Sequence, residues 1–365
     1  MTYDTPRPAS VYSLSCGCTL LLSGSLADVV GCRRIYLLGS FLSTCLILAC
    51  GLARDGTELI IFRALQGVAV SLCLPGSVSI VTKTFPLGRM RNIAFACLGA
   101  AQPTGFLIGL IIGGILIDSI GWRTAMYLIA GINAGVFMVS CSIDLLSSPT
   151  PSGAIRYSRP RVVFFAWATV TTNQYFLALF FEEVQGLSAF QTSLRFLPLV
   201  VSGVLTNIAT GALVRHVRAD ILIGVSVLLS AATPLIMALV VVNHSQLPYW
   251  AAAFPAAALS PIWADVTLTI ANLVITQLFP RSLHGLAGGV SNTCAQLGTS
   301  IGLNLTAILA NAVTMSSTEN KSSPVALAEG YSAAFWACFG GTVAMILVTV
   351  LGMRTAGKVG RPKHD

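Results

Sequence analysis

The chain has 365 residues, 55% hydrophobic and only 9% charged, with a net charge of +8 and a mean hydropathy of +0.81. A water-soluble domain carries about a quarter charged residues, so this composition excludes an ordinary soluble protein and points to a bilayer. The basic residues are dispersed in short loops without interleaved aromatics, which argues against nucleic acid as a partner, and the ten cysteines make no zinc or disulfide framework.

The first ten residues lack the basic region and apolar core of a signal peptide. From there, apolar runs of about 20 residues, the length needed to cross some 30 Å of hydrocarbon, follow one another almost without pause. Eleven spans are predicted: 11–30, 35–53, 58–82, 92–117, 124–146, 162–184, 192–214, 219–242, 249–278, 285–313 and 330–353. The first is rich in Ser, Gly and Cys and is the kind of helix that packs against neighbours in preference to lipid. The ninth contains Pro255 and Pro261, so a kink or break is expected there. The short polar stretch 24–34, GSLADVVGCRR, is expected to be a turn between the first two spans.

Lys and Arg alternate between the two sets of loops. Fifteen, including Arg33, Arg34, Arg89 and Arg161, fall on one side with the carboxyl tail, and Arg7, Arg54, Arg123 and Lys321 fall on the other. Positive residues mark the cytoplasmic side, which puts the carboxyl tail inside and the amino end outside.

The sequence also repeats. SIVTKTFP at 79–86 matches LVITQLFP at 273–280, and a glycine-rich span follows each copy. Parallel internal repeats mark one class of secondary transporter. The expected organisation is therefore a first bundle over 1–146, a cytoplasmic linker over 147–161, a second bundle over 162–354 and a cytoplasmic tail over 355–365.

Three stretches resemble the major facilitator superfamily, and most closely its fungal drug:proton antiporter and secondary-metabolite efflux group. Gly24, Asp28, Gly31, Arg33 and Arg34 are similar to that family's cytoplasmic loop between helices 2 and 3. Arg63, Gln66 and Gly67 are similar to its helix 4 motif. Gly99, Pro103, Gly105, Gly109, Gly113 and Gly114 are similar to the antiporter motif of helix 5, although Gln102 precedes Pro103 where the family has glycine. The resemblance implies an all-α, polytopic fold of two parallel-repeat bundles. It also implies a 12-span core whose first helix has no counterpart here, which leaves a truncated, non-transporting protein or an incomplete gene model as the alternative. The implied activity is export of a small lipophilic drug, toxin or secondary metabolite by alternating access. A proton gradient serves as energy source in place of any cofactor. Uptake of a small nutrient by the same fold is the rival.

Several residues are candidates for that activity. Asp28, Arg33 and Arg34 are read as half of a cytoplasmic gate, against the plainer role of a solvated turn. Arg63 lies within a span, where insertion of a charge costs about 2.5–3.5 kcal/mol; it lines the pathway with Gln66, or it is a buried ion pair or a snorkelling side chain. Asp265, beside the prolines of the ninth span, is the candidate for proton coupling, the alternative being a structural acid paired with Arg195. Asn173 and Gln174, in a polar patch of the sixth span, are candidates for substrate contact or for bonds between helices. The glycines of 99–114 read as helix packing, since no strand precedes them and no nucleotide motif is present. Because few charges face the expected cavity, a lipophilic or uncharged solute is favoured over an anion.

Neither metal-ligand spacing nor a nucleophile elbow is present, so no metal and no enzyme activity are expected. Among three glycosylation sequons Asn320 and Asn243 lie in outer loops, Asn320 being the better acceptor. The expected state is a monomer in the cell membrane, with the vacuolar membrane as the alternative.

Overall fold

A segment in hydrocarbon must satisfy its own backbone, and the helix does so within one chain. A computed structural model of the protein describes residues 7–84, 89–142, 160–214, 217–242, 249–278, 284–317 and 323–352. Its helices are α1 (Arg7–Val30), α2 (Cys32–Leu52), α3 (Gly56–Thr84), α4 (Arg89–Ser119), α5 (Trp122–Ser142), α6 (Pro160–Leu179), α7 (Ala189–Arg195), α8 (Leu197–Leu213), α9 (Ala219–Val242), α10 (Ala253–Leu259), α11 (Ile262–Leu278), α12 (His284–Ser316) and α13 (Pro324–Gly352). No strand occurs among the described residues. Ten segments there are long and apolar enough to cross a bilayer, and α4 adds the shorter apolar stretch Thr104–Ser119. Each of the eleven predicted spans falls on one of these segments.

The side-chain distribution is that of a protein in lipid. Leu22, Leu205 and Ile308 are 72%, 60% and 68% exposed, while Ser23, Ser71, Thr233 and Thr342 are buried. In water such a surface would aggregate; in a bilayer, small polar residues belong between helices and long apolar ones face the acyl chains.

The stretch 24–34 differs from the expected loop. Helix α1 runs through Val30 and α2 begins at Cys32, so Gly31 alone separates them. Its φ of 106° and ψ of 130° lie in a region open to glycine, and this lets the chain reverse within one residue. A second feature was not legible: after Leu179 the sixth span continues as a π-helical turn, Phe180–Val184.

Contacts divide the chain into two units, Met1–Phe95 with Ser119–Phe164 and Ala271–Ile301, and Ala96–Asp118 with Phe165–Ile270 and Gly302–Asp365. In the first, α3 packs on α1 and α2, and α2 packs on α5. Hydroxyls stitch these pairs together. Thr19 Oγ1 donates to Ser71 Oγ at 2.9 Å, and Asn133 Nδ2 donates to Ser43 Oγ at 3.3 Å. In the second unit the core is aromatic, with Phe176, Phe181, Phe196 and Phe335 packed against Ala253, Ala256 and Ala257 of α10, whose small side chains admit the rings.

The predicted interruption of the ninth span falls at Pro261, while Pro255 sits in the first turn of α10, where its missing N–H costs nothing. The break has a specific filler. Ser230 Oγ of α9 accepts from Trp263 N at 3.0 Å and donates to Leu259 O at 2.9 Å, standing between two groups that would pair in a continuous helix. Ser230→Ala would strand a buried N–H and C=O, at a cost of about 1–3 kcal/mol. The purified variant is expected to melt at lower temperature than wild type, with Ser230→Thr close to wild type. An unchanged melt for Ser230→Ala would show that the hydroxyl is not needed.

Candidate functional site

The end of the chain reversal at Gly31 places Arg33 in the first turn of α2. Its Nη2 donates to the carbonyl oxygen of Cys141 at 3.2 Å. That carbonyl belongs to the last turn of α5, where backbone acceptors lack helical partners and the helix dipole favours a cation. Arg33 therefore ties the start of α2 to the end of α5. Arg34 is exposed. Gly24 is buried on α1, and a side chain there would meet nothing within 4 Å. Asp28 lies on α1, but its side chain is outside the described residues.

Arg63 stands within α3, half-buried, and Gln66 is buried one turn on. Arg63 Nη1 donates to Gln66 Oε1 at 3.4 Å, and its Nη2 faces Met126 Sδ of α5 at 3.5 Å. The same Gln66 oxygen lies 4.0 Å from the Cys50 thiol of α2. Tyr12 of α1 is within electrostatic reach of the guanidinium. Groups from four helices thus gather around the Arg63–Gln66 pair, and among the described residues no carboxylate joins it. The ion-pair alternative therefore has no partner among the described residues.

In the second unit Asp265 occupies the first turn of α11, immediately after the break at Pro261, and its own N–H bonds Pro261 O at 2.9 Å. A helix start favours a carboxylate. The side chain of Asn207, buried on α8, hydrogen-bonds the carboxyl. Asn207 is itself oriented by Thr269 Oγ1, which donates to its Oδ1 at 2.7 Å, and by Gly203 O, 3.0 Å from its Nδ2. The second carboxyl oxygen, Asp265 Oδ2, is buried without a hydrogen-bond partner among the described residues. Arg195 is elsewhere, so the alternative pairing does not form. Its guanidinium bonds Gln185 and lies over the rings of Phe181 and Tyr249, each 5.1 Å away.

Asn173 and Thr172 of α6 are buried, and Asn173 Oδ1 and Thr172 Oγ1 have no hydrogen-bond partner among the described residues; Gln174 is half-buried. Glu182 and Glu183 are exposed on the π-helical turn, and Glu183 accepts from the Tyr331 hydroxyl.

The glycines of α4 divide. A Cβ on Gly114 would stand 2.7 Å from Ser193 Oγ and 2.9 Å from Ala189 O, so this position is a true close approach. Gly105, Gly109 and Gly113 have nothing within 4 Å, and the packing reading does not hold for them in this arrangement. The side-chain surroundings of Gly99 and Pro103 are outside the described residues, as are Asn243 and Asn320.

Sequence reasoning passed over Asn207, Tyr12 and Met126. Asn207 carried a usable signal, a lone carboxamide in an apolar run. The other two carried none, because their place depends on which helices meet.

A family model described as Major Facilitator Superfamily matches residues 8–303. MFS-type transporter 1 of Pyricularia oryzae is 33% identical over an alignment of 481 positions, which covers 97% of this chain and 78% of that protein. The low affinity ammonium transporter of Saccharomyces cerevisiae is 23% identical, covering 81% of this chain and 72% of its own. The methylenomycin A resistance protein of Bacillus subtilis is also 23% identical, covering 82% and 78%. Among solved structures, the human organic anion transporter MFSD10 superposes with a TM-score of 0.69 over 94% of this chain and 83% of that one. At 14% identity that likeness is one of fold alone.

Proposed function

The chain belongs to the Major Facilitator Superfamily, and on that premise we propose that this multi-pass membrane transporter exports a small lipophilic drug, toxin or secondary metabolite in exchange for protons. The observation that carries the reading is Asp265. It is an acid inside a span, placed at a helix break, with one oxygen held by Asn207 and the other buried without a partner among the described residues. Ionisable residues at membrane depth mark ion and proton pathways, and discontinuous helices are where transporters place them. The resistance protein among the relatives supports export; the ammonium transporter among them supports the uptake rival.

In this reading the bundles 1–146 and 162–354 rock about a midplane cavity. The stretch 24–34 is part of the cytoplasmic gate, with Arg33 holding α2 to α5. The protein acts as a monomer in the plasma membrane.

The test uses the full chain in liposomes with an acid interior and a panel of radiolabelled lipophilic solutes, neutral, cationic and anionic. At least one solute is expected to accumulate against its own gradient and to stop when a protonophore collapses the pH difference. Accumulation driven by protons moving with the solute would favour uptake. No gradient-dependent movement of any solute would remove proton coupling from the proposal.

A further inference from the structure

The arginine of α3 is poorly explained by its surroundings. A guanidinium has five N–H donors and no acceptor, and burying it is costly unless its charge is met. Among the described residues its partners are an amide oxygen and a thioether sulfur, both neutral. The neighbouring groups are also donors. Gln66 spends its Oε1 on Arg63 and Cys50, which leaves its amide N–H groups to face a ligand. Tyr12 of α1 lies where α1 crosses α3 at Gly67, the residue after Gln66, within electrostatic reach of the guanidinium. The acids of the adjoining end of α3 do not relieve the charge: Glu58 Oε2 accepts from Arg54 N at 2.9 Å, and Asp55 is exposed. The result is a site rich in donors and short of acceptors, the complement of an oxyanion.

We propose that Arg63, with Gln66 and Tyr12, forms an anion-recognising subsite on the transport pathway that takes a carboxylate, sulfonate or phosphate group of an organic solute. The inference rests on the transport reading above and amends its substrate: a lipophilic solute carrying one negative group in place of an uncharged one. The guanidinium pairs with the oxyanion in two-pronged fashion, Gln66 and Tyr12 donate at the flanks, and the apolar remainder of the solute lies along the helices.

The test is equilibrium binding to the full chain in nanodiscs of zwitterionic lipid. The probes are salicylate, benzenesulfonate and phenyl phosphate, each against its neutral amide or ester. At least one anion is expected to bind tenfold or more tightly than its neutral counterpart. Arg63→Gln is expected to erase that preference and Arg63→Lys to keep part of it. Where Arg63→Gln fails to fold, the anion preference of wild type and its reduction in Arg63→Lys carry the test. Equal binding of anion and neutral partner, or a preference untouched at Arg63, would overturn the site. Repeating the titration with phosphatidylglycerol in the discs separates the sources of the anion. No displacement assigns the site to a solute, while displacement that depends on Arg63 assigns it to a lipid headgroup and overturns the solute subsite. Arg63-dependent binding in a protein without transport would sink the transport reading and leave the site. Transport with Arg63-independent binding would do the reverse.

Discussion

Asp265→Asn is expected to abolish proton-driven accumulation while leaving solute exchange intact. Asparagine has nearly the same shape as aspartate and retains an oxygen for the Asn207 carboxamide, so the contact between α8 and α11 survives. What it cannot do is take up and release a proton. In liposomes, accumulation driven by a pH difference should fall about tenfold or more, within the range of ordinary coupling free energies. Counterflow, in which labelled solute exchanges for unlabelled solute with no gradient, should stay within about twofold of wild type, since it needs only the rocking motion and the binding site. A variant that keeps full gradient-driven accumulation would move coupling to another group. A variant that loses both activities would mean that the carboxylate holds the fold.

The second large effect is expected at Gly67, the residue after Gln66. A Cβ there would overlap the backbone carbonyl oxygen of Tyr12 and stand 3.0 Å from the amide nitrogen of Cys16. Both obstacles are backbone, so no rotamer change can make room, and the crossing of α1 over α3 would have to open. Overpacking of this kind costs about 1–3 kcal/mol for a single methyl and more for a larger side chain. Gly67→Ala should therefore lower the melting temperature of the purified protein, and Gly67→Val should lower it further. The comparison is Gly131→Ala on α5, where nothing lies within 4 Å. That change should be neutral, or stabilising by up to about 1 kcal/mol, because alanine is the better helix former. Equal melting temperatures for the two alanine variants would show that α1 and α3 are not held at the observed distance. Opening the crossing would also draw Tyr12 away from Arg63, so Gly67→Ala should weaken the anion preference as well.

Much of this protein was legible without coordinates. Where a chain must carry its backbone through hydrocarbon, only long apolar helices serve, and eleven such runs and their polar joints could be counted directly. The break at Pro261 was legible for the same reason, since a residue without an N–H cannot continue a helix unaided. Asp265 and Arg63 stood out because a charge at that depth is costly enough to need a reason. The motifs of 24–34 and 63–67 named the family, and the family model agrees over residues 8–303.

Tertiary structure decided the rest, because one-dimensional pattern does not say which faces meet. The 24–34 stretch contains enough polar residues for a loop, yet Gly31 alone is non-helical, since a single positive φ suffices to reverse the chain. Glycines 105, 109, 113 and 114 are alike in sequence; only Gly114 faces another backbone closely enough to require the missing side chain. Charge alone would pair Asp265 with Arg195, but Arg195 is drawn to two aromatic rings and Asp265 to an amide 58 residues earlier in the chain. Above all, Arg63 bonds Gln66 of its own helix and Met126 of α5, with Cys50 of α2 on the same Gln66 oxygen, and none of these groups is charged. Composition and spacing determined that this chain lives in a membrane, and its motifs placed it in the Major Facilitator Superfamily. The pairing of helix faces, which depends on shape and on hydrogen bonds between distant residues, determined which neighbours Asp265 and Arg63 meet.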